Sequence, residues 1–90
     1  MNKILFTDSY IKKSTNFFKK HPEIIPQYEK ILKILCVNPP HPSLRLHVLS
    51  GKLQGLSSVS VTLSYRLIIS FFIRDGAIVL VDIGTHDDVY

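Results

Sequence analysis

The sequence has no tryptophan, one methionine and a single cysteine, Cys36. One thiol excludes an internal disulfide and any cysteine-based zinc site. Set in an apolar helical run, Cys36 reads as a small buried side chain. Long hydrophobic runs are also lacking. The longest, Leu67 to Ile73, is broken by Ser70 and falls far short of the ~20 residues of a spanning helix. Nothing near the start resembles a signal peptide, because Lys3, Asp8, Lys12 and Lys13 interrupt every apolar stretch. The expectation is a cytoplasmic domain with no membrane association. There is no glycine-rich phosphate loop; "SGKLQG" lacks the spacing and the strand-to-helix setting of one. The spaced histidines and aspartates match no recognised metal site, and no Ser/His/Asp order stands out. No metal and no cofactor are expected.

What is present suffices for one domain over residues 1–90, with 46% hydrophobic residues to build a core. Eleven Lys/Arg against seven Asp/Glu give a net charge of +4. That balance permits a polyanionic partner, either nucleic acid or an acidic protein, without demanding one.

"KILFT" alternates Ile4 and Phe6 against polar neighbours and reads as a short strand. Asp8 or Ser9 would cap a helix running to Lys20, with Ile11, Phe18 and a Tyr10/Phe17 pair on its inner side. Lys19 and Lys20 suit the negative end of the helix dipole. A second helix is expected from about Ile25 to Val37, where Tyr28, Ile31, Leu32 and Leu35 recur at helical spacing. Pro22 and Pro26 imply a loose turn before it, and "NPPHPS" ends it. From His41 to Ser57 the chain is irregular, and long for a loop in so small a domain. "SVSVTL" alternates, with Val59, Val61 and Leu63 facing inward. "YRLIISFFIR" and "AIVLVDIG" read as interior strands, joined by an Asp75–Gly76 hairpin turn.

The predicted fold is α+β in the order β-α-α-β-β-β: a four-stranded antiparallel sheet with an N-terminal helical hairpin on one face. Ile68, Phe72, Val79, Val81 and Ile83 would crowd the other face. Either a protein partner or the loops and the chain end would then cover it.

Side chains able to do chemistry collect in three places: Arg45, His47 and Lys52 in the long loop, Arg66 at a strand start, and His86, Asp87, Asp88 and Tyr90 after the last strand. A two-residue Asp75–Gly76 turn sets Ile73 against Ile78, Arg66 against Thr85 and Tyr65 against His86. Strict alternation then puts Arg66 and His86 on different faces. Only a bulge, or a strand end just before His86, brings both into one groove. A short loop at Leu63 to Tyr65 would set Ser58, Ser60 and Thr62 on the face of Arg66. The aspartates have several readings: a tether for Arg66, an orienting group for His86, or a solvated end.

"HPSLRLHVLSGKLQGLSSVSVTLSYRLIISF" followed by "DIGTHDDVY" resembles the RelE/ParE superfamily of type II toxins, and within it the RelE-, YafQ- and YoeB-like mRNA interferases. The marks are the loop "LHVLSG", the strand "SYRLI" and the ending "GTHDDVY". The resemblance implies a ribosome-dependent mRNA endonuclease that cleaves RNA without metal, through attack by the 2′-OH, and so inhibits translation. It implies two partners: mRNA in the ribosomal A site, and a cognate antitoxin that neutralises the toxin in a heterotetramer or larger complex. The alternative within the superfamily is a ParE-like DNA gyrase inhibitor without nuclease activity.

By the same resemblance His47 and His86 are catalytic histidines, Arg66 binds the scissile phosphate, and Tyr90 stacks on or orients a nucleotide. Lys52 is a backbone-phosphate contact, and Arg45 is grouped with it. The paired lysines of RelE-like toxins have no match, since that strand offers Ser58, Ser60 and Thr62. The glutamate of YoeB-like sites is also absent, with Ser43 the nearest residue, as are the additional His and Asp of YafQ-like sites. His47 is therefore the candidate base. The residue types suit the chemistry, because imidazole exchanges protons near neutral pH and a guanidinium presents a fixed fork to phosphate oxygens.

Overall fold

A computed structural model describes residues 2–72 and 75–90. Strand β1 (Lys3–Phe6) leads into helix α1 (Asp8–Lys20). The cap is Thr7, one residue before the expected Asp8 or Ser9: its Oγ1 accepts from the Tyr10 amide at 3.0 Å. Asp8 instead opens the first turn, where a carboxylate favours the positive helix end, and Lys19 and Lys20 close the last. The helix buries Tyr10 and Ser14, and Phe17 and Phe18 pack partly against the core. Ile11, expected inside, is 49% exposed.

A 3₁₀ turn over Pro22–Ile24 carries the chain into α2 (Ile25–Val37), whose bounds match the sequence reading. Pro26 sits in the first turn of α2, where a missing N–H costs nothing. Tyr28, Ile31 and Leu35 form the buried stripe of α2. The Tyr10 and Tyr28 hydroxyls meet at 2.7 Å and join the two helices inside the core. Burial pushes both phenols above their ordinary range. Cys36 is only half-buried. Its thiol donates to the Asn2 carbonyl, and the Asn2 amide donates back to the Cys36 carbonyl, fastening the start of β1 to α2.

The sheet has five strands in the order β1-β5-β4-β3-β2, with β2 (His47–Val48), β3 (Ser57–Ser60), β4 (Tyr65–Phe72) and β5 (Ala77–Thr85). It differs from the expected four-stranded antiparallel sheet in two ways. β1 runs parallel to β5, with Lys3 beside Ala77 and Phe6 beside Leu80. β2, two residues long, lies in the stretch read as a loop and pairs antiparallel with Ser57 and Ser58. A two-residue edge strand is too short to carry a periodicity. β3 stops early because Thr62 Oγ1 accepts from the amides of Ser64 and Tyr65 and closes a turn. Leu63, expected inside, is 85% exposed at that turn.

The register of β4 on β5 also differs. Ile78 lies opposite Phe71, while its expected partner, Ile73, falls outside the described residues. The pairing slips between Ile69–Leu80 and Ile68–Asp82, so that Val81 is an extra residue, a β-bulge. Arg66 therefore faces Gly84, and Tyr65 faces Thr85. The bulge resets the alternation: Leu80 and Ile83, three residues apart, both enter the main core. That core joins them to Tyr10, Tyr28, Ile31, Leu35, Leu44, Val59, Val61, Leu67, Ile69 and Ile78.

The far face of the sheet is partly covered by the chain itself. Leu49 and Val89, the latter from a short C-terminal helix α3 (His86–Val89), close over Ile68, with Leu53, Leu56 and Val81 packed alongside. Ile83 belongs to the helical side, and Phe72 stays 51% exposed. Among the described residues no helix is long and apolar enough to cross a membrane.

Candidate functional site

Arg45, His47, Lys52, Arg66, His86 and Tyr90, the six side chains singled out in the sequence, line one groove of about 620 Å3. Leu49, Ser50 and Leu53 complete its wall. Among the described residues no Asp or Glu side chain lines it, and its charged side chains are Arg45, Lys52 and Arg66.

Arg66 rises from the start of β4. It lies directly opposite Ser60 on β3, so both side chains leave the sheet on one face. Its Nη1 donates to Ser60 Oγ at 2.7 Å. No tail aspartate tethers it. Asp88 is engaged with Thr85, and Asp87 stands 3.7 Å from the His86 ring. Ser58 lies further along β3, between His47 on one side and Ile68 on the other. It is fully buried, and its Oγ has no hydrogen-bond partner among the described residues. Thr62 is consumed by its turn and forms no part of this shelf.

His86 enters the groove for two reasons. β5 ends at Thr85, and the bulge at Val81 has already shifted the phase of the strand. A capping box starts α3: the Asp88 amide donates to Thr85 Oγ1 at 3.1 Å, and the Thr85 amide donates to Asp88 Oδ2 at 3.2 Å. One helical turn then stacks Tyr90 on His86, edge to face, with ring centroids 4.2 Å apart. The Tyr90 amide closes the turn on the His86 carbonyl at 3.0 Å. Gly84 is required here, since a Cβ in its place would stand 2.9 Å from Asp88 Cβ. Sequence reading missed the box, although Thr85 followed three residues later by an acid is its signal.

On the opposite wall β2 carries His47, exposed and paired with Ser58. Arg45, just before it, has φ 49° and ψ 48°, a left-handed conformation uncommon for a residue with a Cβ. It ends the 3₁₀ turn Pro42–Leu44, which His41 caps by accepting from the Ser43 amide. Lys52 sits in a further 3₁₀ turn, Gly51–Leu53, entered through Gly51 at φ 67°. Among the described residues no three His, Cys, Asp or Glu side chains gather so as to hold a metal ion.

Such a groove can grip a phosphodiester and move protons on both sides of it. Comparison with solved structures shows what the fold is similar to. YafQ from E. coli superposes with a TM-score of 0.81 at 16% identity, covering 100% of this chain and 99% of that one. A metal-bound toxin from Helicobacter pylori matches with a TM-score of 0.79 at 18% identity over 100% of both chains. A heterotetrameric YoeB–YefM toxin–antitoxin complex from Staphylococcus aureus matches at 0.73 and 17%, covering 96% of this chain and 98% of that one. The chain has the fold of the RelE-superfamily toxins. No family model matches the sequence, and no curated protein does.

Proposed function

We propose that this protein is the toxin of a type II toxin–antitoxin system and cleaves mRNA on the ribosome. The observation that carries the reading is the meeting of His47, Arg66 and His86 in one groove. His47 removes the proton from a ribose 2′-OH, whose oxygen bonds to the adjacent phosphorus. Arg66 stabilises the charge that builds on the phosphoryl oxygens. His86 donates a proton to the departing 5′-oxygen as the P–O5′ bond breaks, leaving a 2′,3′-cyclic phosphate and a 5′-hydroxyl. Tyr90, braced on His86, offers a ring to an unstacked base, which suits a single-stranded message. Arg45 and Lys52 contact flanking phosphates. The catalytic side chains are few, so the ribosome supplies the grip on the message. A cognate antitoxin restrains the activity, as the heterotetramer of YoeB with YefM suggests by likeness of fold.

The test is induced expression of the wild type and of His86→Ala, with primer extension on reporter messages. Wild type is expected to arrest growth and cut messages under translation. His86→Ala is expected to fold and to lose both effects, with a fall of roughly 100-fold or more in cleavage. Replication arrest with intact messages would instead indicate a ParE-like gyrase inhibitor. A fully toxic His86→Ala would remove His86 from the mechanism.

A further inference from the structure

The contact between Ser60 and Arg66 has three properties that go together. It is short, 2.7 Å from Nη1 to Oγ. It is sheltered, because Ser60 is only 9% exposed and water competes weakly for its oxygen. It is also neutral. The ion pairs found among the described residues are Lys13–Asp82, His21–Glu23 and His86–Asp87, and none involves Arg66. A carboxylate partner would occupy the guanidinium fork and cancel its charge. A hydroxyl takes one N–H, fixes the plane of the group, and leaves the full charge and the remaining donors to the groove. The register secures this, since Ser60 and Arg66 are directly paired across β3 and β4.

We infer that Ser60 is a positioning residue for Arg66: it holds the guanidinium in the orientation that meets a scissile phosphate while leaving it fully charged. The inference rests on the RNA-cleaving reading of the groove and names a residue that reading does not use. Ser60 touches no substrate and acts through Arg66 alone.

Cleavage of a reporter message in a translating extract tests the role. Ser60→Ala is expected to lower the rate about 10- to 100-fold, the loss typical of a misplaced catalytic group, without lowering the melting temperature appreciably. Ser60→Thr, which retains the hydroxyl, recovers most of the lost rate. Ser60→Asp keeps a partner for Arg66 but neutralises it, and cleaves no faster than Ser60→Ala. On an Arg66→Ala background, Ser60→Ala causes no further loss. A wild-type rate in Ser60→Ala overturns the inference, as does an undiminished effect of Ser60→Ala when Arg66 is already absent. A second readout needs no activity: nitrogen-15 spectra of the Arg66 guanidinium, expected to show hindered Nη rotation that Ser60→Ala releases. Free rotation in the wild type sinks the inference whatever the protein cleaves. Hindered rotation in a wild type that cuts no message leaves the contact standing and removes the nuclease reading instead.

Discussion

Asp88 and Thr85 hold each other reciprocally, each backbone amide donating to the other's side chain at 3.1 and 3.2 Å. That pair starts the single turn on which His86 and Tyr90 stand, immediately after a strand that would otherwise run on. Asp88→Ala removes one half of the box. We expect a loss of about 1 kcal/mol in stability and a larger fall in cleavage, because His86 and Tyr90 lose their common frame. Gly84→Ala forces its Cβ against Asp88, and about 1–3 kcal/mol of destabilisation is expected. Thermal melts beside cleavage rates check both; an Asp88→Ala protein as active as wild type would separate the box from the site.

Tyr10 and Tyr28 share one buried hydrogen bond between the two helices. Tyr28→Phe strands the Tyr10 hydroxyl and is expected to cost about 1–3 kcal/mol, whereas the double Phe variant costs much less. The same pair makes stability sensitive to alkali. Burial raises both phenols in the folded state, so the folded chain keeps protons that the unfolded chain gives up above the ordinary phenol value of ~10. The stabilisation is complete below that value and falls as pH rises past it, by up to about 1.4 kcal/mol per pH unit for each tyrosine. The urea midpoint should fall between pH 8 and about 11 in wild type and fall less in the double Phe variant.

Ser58, beside Ile68 in the sheet, buries a hydroxyl with no partner among the described residues. Ser58→Ala deletes a group that costs free energy to desolvate. It should leave stability unchanged or raise it by up to about 1 kcal/mol. A loss well beyond that in a chemical melt would mean that the hydroxyl has a partner in solution.

Arg45 holds a left-handed backbone that costs an L residue roughly 1–2 kcal/mol. Arg45→Gly relieves this while loosening the unfolded chain. The net change in stability should be small and favourable, while cleavage falls with the lost cation. Arg45→Ala keeps the backbone cost and should melt below Arg45→Gly.

Much of this was legible in the sequence, and what was not has physical causes. Apolar spacing located α2 to the residue, because a buried stripe and two prolines agree there. All six groove side chains stand out in the sequence by residue type and motif. The register that unites them does not, because a bulge at Val81 leaves no mark in a run as apolar as "AIVLVDIG". β2 was too short to show a pattern. The parallel pairing of β1 depends on where the helical hairpin delivers the chain, which no local propensity records. Asp88 is the opposite case: the sequence leaves it as a tether, an orienting group or a solvated end, and the structure makes it a cap, a role that Thr85 three residues before it could have signalled.

The bulge has a consequence for how this domain can vary. Residues before Val81 and after it obey opposite parities, so the added residue works like a half-step in a zipper. Inserting one more residue between Leu80 and Ile83 would throw Ile83 out of the core and turn His86 away from Arg66 together, whereas losing the extra Val81 would restore plain alternation and keep Leu80 and Ile83 on one face. The stretch between Leu49 and Leu56 carries no strand parity, and insertions there would move Lys52 and the wall of the groove while leaving His47, Arg66 and His86 aligned.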